Sequence, residues 1–135
     1  MWDLLLLAIT ITQPNYVNTL IDRFSIPTSS VKYPMSEDYL TGMSSKFDDI
    51  LLTPSLQTLF QEKVGSILYL ASQTRPDLLY STMQLSRRSN KTTARDMAAA
   101  DRLLRYIAFT ASLGITFCSY FCWYCSRLCR RCRAF

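Results

Sequence analysis

Residues 54–110 carry apolar side chains at helical spacing, and only two features interrupt this periodicity. The first is Pro76, whose ring disfavours helical angles at the preceding residue and fits the first turn of a new helix. The second is a polar run at residues 89–93. The pattern predicts three consecutive helices, over about 54–74, 76–88 and 93–110, that pack through their apolar faces.

The predicted inner faces differ in width. Apolar residues cover about half the circumference of the first helix, which predicts a central helix with several neighbours: Leu56, Leu59, Phe60, Val64, Ile67, Leu68, Leu70 and Ala71. The second helix is expected to bury Leu78, Leu79, Met83 and Leu85, with Thr82 and Ser86. The third is expected to bury Met97, Ala100, Leu104, Ile107, Ala108 and Ala111. Gly65 lies outside the apolar arc, where close approach of another backbone would explain a glycine.

The chain before these helices predicts one strand, one helix and a loop. Alternation of Ile and Thr at residues 9–12 is typical of a half-buried strand, which needs a hairpin or sheet to pair with. A helix follows over 14–24, with Thr12 as its expected cap and Pro14 in its first turn. Residues 25–53 predict a long irregular loop, with low order across Ser36–Phe47.

Positive charge is concentrated in two places. The net charge is +5, but residues 1–117 carry eleven basic against ten acidic side chains, so most of the excess lies in the tail. Within the helices, one face groups the candidate nucleic-acid-binding residues Arg87, Arg88, Lys91, Arg95, Arg102, Arg105 and Tyr106. Cations there would neutralise phosphates and the tyrosine would pack on a sugar or base. The alternative, which the residues alone favour, is a solvated face partly neutralised by Asp96 and Asp101.

Composition excludes several classes of chemistry. The chain has no histidine, which removes Ser-His-Asp, Cys-His and His-zinc sites. All five cysteines lie in the last eighteen residues, so no disulfide can form in the helical part. The N-terminus has no cationic start and its apolar run ends at Thr10, unlike a secretory signal, and no stretch is long enough to predict a membrane span. We therefore expect an intracellular protein, in either cytoplasm or nucleus.

Four ordered motifs resemble a known family. They are Val64-Gly65-Ser66-Ile67-Leu68-Tyr69-Leu70, Thr74-Arg75-Pro76-Asp77, Leu85-Ser86-Arg87 and Leu104-Arg105-Tyr106. Their order and spacing are similar to those in the reverse transcriptase region of copia-type LTR retrotransposon Pol polyproteins. Ile11-Thr12-Gln13-Pro14-Asn15-Tyr16-Val17 also resembles the family's junction just after the polymerase hairpin. The resemblance covers about residues 9–117.

The resemblance implies four segments. Residues 1–24 would be a strand and helix from the end of the polymerase palm, 25–53 a variable loop, 54–117 a helical thumb/connection segment, and 118–135 a tail outside the family pattern. The expected fold is mainly α: a three-helix thumb/connection-like bundle, preceded by a short strand and helix, in an incomplete domain. The parent activity would be RNA-directed DNA polymerisation with RNase H, using magnesium. The implied partners are an RNA/DNA hybrid, which the cationic face would help to grip, and the remaining Pol domains.

We assign no catalytic residue to this chain. Phe47-Asp48-Asp49-Ile50 resembles the polymerase metal-binding signature, but Lys46 stands where the aromatic residue belongs. The pair also follows the strand it should precede, and no further acid-bearing strand precedes it to complete a two-metal site. We expect a truncated, non-catalytic fragment without a cofactor of its own, which retains at most nucleic-acid binding. The alternative function is a co-opted small helical protein-interaction module.

The tail departs from the family pattern. Its cysteines Cys118, Cys122, Cys125, Cys129 and Cys132 are spaced by four, three, four and three residues. Cys122, Cys125, Cys129 and Cys132 could form a four-thiolate zinc cluster, although the spacer between the pairs is far shorter than in zinc ribbons. A palmitoylated, arginine-flanked anchor is a second interpretation. We favour a third, translation in a shifted frame, because the family pattern stops abruptly there.

Overall fold

The computed structural model describes residues 8–27, 29–40 and 51–118 of the chain. In order, these form β1 (Ala8–Ile11), α1 (Pro14–Phe24), α2 (Glu37–Leu40), α3 (Pro54–Gln73), a 3-10 turn (Pro76–Leu78), α4 (Leu79–Ser86), α5 (Ala94–Phe109) and β2 (Ile115–Cys118). The predicted mainly α fold class is confirmed, with the first strand and helix at their expected positions. The cysteines from 122 onward and the Asp48-Asp49 pair lie outside the described residues.

Helix α3 is central, because it contacts the 3-10 turn, α4 and α5. The fully buried core joins these elements through Phe60, Ile67, Leu70, Leu78, Leu85, Leu103, Leu104 and Ile107. Helix α1 packs on α5 and adds Val17 to the same cluster. Helix α3 begins at Pro54 as predicted, whereas α1 begins after Gln13 rather than after the predicted cap Thr12.

The prediction of which residues the second helix buries is partly wrong. Leu78, Thr82 and Leu85 are buried as predicted, but Leu79 and Met83 are exposed and Ser81 is buried in their place. Leu79 and Met83 lie about 120° and 160° around α4 from the buried Leu85, whereas Ser81 and Thr82 lie within about 60° of it. The predicted inner face was therefore too wide for one buried stripe.

Lys63 is an unexpected member of the inner face of α3. The residue is buried, and its ammonium group donates to the Asp101 carboxylate at 2.5 Å. The same nitrogen lies 5.9 Å from the centre of the Phe24 ring. The long methylene stem fills apolar space while the charged end is paired, which is how a lysine becomes buried at low cost. Gly65 meets no backbone: a Cβ there would have no neighbour within 4 Å among the described residues, so the expected close approach is not found.

Arg75 joins the two sides of the helical unit. Its side chain is 2% exposed, and it forms a local ion pair with Asp77. The pairing is forked: Nε and Nη2 donate to the two Asp77 oxygens at 2.9 and 2.8 Å. The guanidinium also reaches the end of α5, where Nη1 and Nη2 donate to the Thr110 carbonyl and hydroxyl at 2.8 and 2.9 Å.

The two strands pair with each other in an antiparallel ribbon. β2 thus supplies the pairing partner that the first strand requires. The Thr10 and Thr116 hydroxyls bond at 3.0 Å on one face, while Ile9 and Phe117 are directly opposite on the other and are exposed. Gly114 precedes β2, and any Cβ there would collide with the Ile11 carbonyl, so the close approach of the strands requires glycine.

The predicted loop between α1 and α3 is not a solvated coil throughout. Val31 and Met35 are buried, and the short helix α2 places Tyr39 against the core. Residues 41–47, the larger part of the stretch for which low order was expected, lie outside the described residues. The described part of this loop covers one face of α5 and creates a cleft there.

Candidate nucleic-acid interface

The structure brings together part of the predicted cationic cluster. Arg95, Arg102 and Arg105 line one cleft of about 270 Å³ between α5 and the segment that carries α2. Val31, Ser36, Tyr39, Ala98 and Ala99 complete its described walls. The predicted fully exposed face is thus half-buried, because the loop that was expected to be irregular packs beside it. No acidic side chain is among these described wall residues.

The remaining cations of the prediction are placed differently. Arg87 and Lys91 are exposed at and after the end of α4 and do not line the cleft. Arg88 reaches towards it: its Nη1 lies 3.7 Å from Asp96 Oδ1, and its guanidinium carbon lies 5.8 Å from the centre of the Tyr39 ring. Arg95 approaches the same ring at 5.4 Å. Tyr39, which the sequence did not indicate, is therefore the aromatic centre of the cationic region.

A buried carboxylate fixes Tyr39 in place. Asp96 is completely buried and accepts from the Tyr39 hydroxyl at 2.7 Å. It also belongs to the capping box of α5, accepting from the Thr93 backbone N–H at 2.9 Å. One acid thus begins α5 and holds α2 against that helix. Asp96 does not act as the solvated counter-charge that the alternative interpretation expected, and Asp101 is engaged with Lys63.

This environment changes the acidity of the phenol. Burial first, and then the hydrogen bond and negative charge of Asp96, raise the pKa of Tyr39 well above its ordinary value of 10.0, against the opposing effect of Arg88 and Arg95. The folded chain therefore retains a proton that the unfolded chain loses above about pH 10. The resulting stability is fully present below pH 10 and is lost as the pH rises further.

We expect the free energy of unfolding to fall as the pH rises above about 10, and Tyr39→Phe to reduce that fall, because phenylalanine has no proton to lose. Denaturant midpoints measured across this range test the expectation. Tyr33→Phe is the matched control, since Tyr33 is exposed. An alkaline loss that is unchanged in Tyr39→Phe but reduced in Tyr33→Phe would contradict it.

Arg102 and Arg105 have incomplete hydrogen bonding. The Nε atom of each is buried and has no hydrogen-bond partner. Neither forms an ion pair with a described residue. A buried donor without an acceptor is costly, and a charged one more so. Within the described part of the chain, these two arginines are therefore half-buried members of the predicted cluster that make no ion pair.

Tyr106 does not belong to the cleft. Its ring lies 5.8 Å from the guanidinium carbon of Arg75, on the side of the bundle where Arg75 meets Thr110. Burial and the nearby Asp77 carboxylate raise the pKa of Tyr106, while Arg75 lowers it. The predicted role for Tyr106 in packing on a base thus has a competing contact, which holds the ring to the helical unit.

Two sequence signals could have located more of this site. The Thr93-x-x-Asp96 spacing is a capping-box pattern, which predicts both the start of α5 and engagement of Asp96. Arg95 and Arg102 are seven residues apart, which places them on one helix face. No local pattern indicated Tyr39, because its position depends on how residues 26–40 return to α5.

Within the described ranges, no group of three or more histidine, cysteine, aspartate or glutamate side chains could hold a metal ion. The helices formed by the described residues do not include one that is both long and apolar enough to cross a membrane. The predicted zinc cluster of Cys122, Cys125, Cys129 and Cys132 falls outside these ranges. The chain matches no protein-family model, no curated protein and no solved structure.

Proposed function

We propose that this chain is a non-catalytic piece of a copia-type reverse transcriptase, and that its helices support an RNA/DNA hybrid by binding phosphates. The observation that carries the proposal is the convergence of Arg95, Arg102 and Arg105 on one cleft without an acidic wall residue among the described ones. The motif order in residues 64–106 supports the family origin.

The arrangement of the arginines suits a nucleic-acid backbone. Arg95 and Arg102 are separated by two turns of α5, roughly 10 Å along the helix axis. One strand of a double helix rises about 3.4 Å per nucleotide, so this separation spans about three nucleotides. Arginine also offers planar, always-charged donors that match phosphate oxygens. Such contacts position a nucleic acid without reading its sequence.

The proposal includes no chemical step. Polymerisation needs metal-holding carboxylates, and the order of motifs in the sequence puts Asp48-Asp49 after the strand that such a pair should precede. Magnesium would belong to the catalytic parts of the parent enzyme, and the proposed role of this chain is limited to positioning. The remaining Pol domains are the protein partners that this role implies.

Binding of an RNA/DNA hybrid should become weaker with salt, and replacing Arg95, Arg102 and Arg105 together with alanine should reduce the salt dependence. Each lost phosphate contact lowers the slope of log K against log salt by about 0.9, so the slope should fall by roughly 2 to 3. Fluorescence anisotropy with a labelled hybrid at several salt concentrations measures both quantities.

The matched comparison uses two double variants, Arg102→Ala with Arg105→Ala and Arg23→Ala with Lys32→Ala, because neither Arg23 nor Lys32 lines the cleft. Both make the same change in net charge, and the variant that lacks Arg23 and Lys32 should keep most of the slope. Equal losses in the two double variants would mean that binding depends on net charge alone. Circular dichroism of each variant must first show an unchanged helical content.

A second candidate function rests on a different surface. Leu79, Tyr80 and Met83 are exposed on α4, and Tyr69 is exposed on α3. An apolar group of this kind favours the protein-interaction module. Self-association or partner binding that does not weaken with salt, and that is lost in Leu79→Ser with Met83→Ser, would support this function over hybrid binding.

A further inference from the structure

We propose that the cleft formed by Arg95, Arg102 and Arg105 is a discrete site for one phosphomonoester group, such as the terminal phosphate of a nucleic-acid strand. This inference deepens the proposed hybrid binding, on which it rests for the source of the phosphate. The site itself is argued from the cleft alone.

Two buried nitrogen donors of the cleft arginines have no acceptor among the described residues. Arg102 and Arg105 carry buried Nε atoms without partners, and neither makes an ion pair with a described side chain. Such donors are rare in folded proteins, so an acceptor from outside the described residues is expected at each of them. Phosphate suits both, because the Nε and one Nη of an arginine can form a forked contact with two of its oxygens.

The cleft is a recess large enough for one small anion. The described walls contain three guanidinium groups, the Ser36 hydroxyl and the Tyr39 ring, around about 270 Å³. The arginines are half-buried rather than displayed on a ridge. A recess of this size admits one tetrahedral anion, whereas the continuous backbone of a duplex contacts exposed side chains more readily.

The charge of the cleft suits a phosphomonoester better than an internal phosphodiester. A phosphomonoester carries about −1.5 to −2 charges at pH 7, and an internal phosphodiester carries one. Two arginines without a described counter-ion, next to a third, match the dianion better. Arg88, the other cation at this end of the molecule, is within ion-pair distance of the buried Asp96. Asp96 is therefore already paired with Arg88, and the charge of the cleft stays positive.

The two walls of the cleft, α5 and the segment that carries Tyr39, are held together. Asp96 holds Tyr39 through a 2.7 Å hydrogen bond and also caps α5, so both sides of the cleft are fixed by one buried residue. An anion therefore enters a formed site and does not need to order a loop. Low ordering cost is what lets a small ligand bind with few contacts.

The test uses inorganic phosphate first, and then paired oligonucleotides. Phosphate should raise the melting temperature of the chain saturably. It should do so more strongly at pH 7.5 than at pH 5, because the second proton of phosphate leaves near pH 6. Arg102→Ala with Arg105→Ala should weaken this binding by about tenfold or more, whereas Arg23→Ala with Lys32→Ala should not. Arg102→Lys with Arg105→Lys is the second pair to test, because it keeps the charge and loses the fork.

The second arm compares RNA/DNA hybrids that differ only in a 5′-phosphate or a 5′-hydroxyl. Tighter binding of the phosphorylated hybrid, with competition by inorganic phosphate, supports the inference. Equal binding of both hybrids without competition overturns it and leaves the proposed function standing. Saturable phosphate binding without hybrid binding supports the site and overturns the proposed function. Failure of both phosphate and hybrid to bind overturns both.

Discussion

Replacing Arg75 with alanine is expected to lower the free energy of unfolding by about 3 kcal/mol, the largest effect of any single substitution considered for this chain. The guanidinium is 2% exposed and makes four hydrogen bonds that join the α3–α4 corner to the end of α5. Its loss leaves the Asp77 carboxylate and the Thr110 carbonyl without their donor. Asp77 is partly exposed, which keeps the expected loss at the lower end of the range for broken buried pairs.

Two further variants separate the causes. Arg75→Lys keeps the charge but cannot donate to Asp77 and Thr110 in the same forked geometry, so its loss should be smaller yet clear. Arg23→Ala removes an exposed arginine that pairs with Glu62, and should cost at most about 1 kcal/mol. Denaturant midpoints with unchanged slopes give these values. A loss below that of Arg23→Ala would show that the Arg75 contacts do not stabilise the folded chain.

Replacing Asp96 with alanine is expected to have the second largest effect, again about 3 kcal/mol. One part, about 1 kcal/mol, is the capping box at the start of α5. The larger part is the hydrogen bond from the Tyr39 hydroxyl to a completely buried carboxylate. The variant also removes the negative charge near Arg88, so the cationic end of the molecule loses an internal counter-charge.

A second measurement makes this prediction specific. Without Asp96, the pKa of Tyr39 should move back towards 10.0, which absorbance of the ionised phenol at alkaline pH would report. Asp22→Ala, in an exposed position on α1, should change the stability by less than about 0.5 kcal/mol. A large loss of stability with no change in the titration of Tyr39 would contradict the role assigned to Asp96.

The helical spacing of apolar residues was sufficient to predict most of the helices. Helices α3 and α5 have strong caps or a proline at the start and a regular apolar repeat, and both lie where the sequence predicts them. Helix α4 shows the limit of that reasoning. Its apolar residues are spread around the helix, with Leu79 about 120° from the buried Leu85, so their spacing alone does not decide which side faces the core.

The candidate site was predictable only in part. The grouping of Arg95, Arg102 and Arg105 follows from helical geometry, because spacings of seven and three place side chains on one face. Helical geometry alone does not predict the cleft. The wall opposite α5 is formed by Val31, Ser36 and Tyr39, which come from a segment without regular periodicity. Burial of Lys63 and Arg75 was missed for a related reason: each depends on a carboxylate or carbonyl brought from another part of the fold.

The antiparallel register of β1 and β2 has a consequence for how this unit can sit in a longer polypeptide. Ala8 is the register partner of Cys118, so the backbone enters and leaves the helical unit at one point. A unit whose two ends meet can be grafted between adjacent residues of a host protein without stretching either. By the same reasoning, joining residues 8 and 118 through a short linker and opening the chain in the 87–93 connection should give a circular permutant that keeps the bundle.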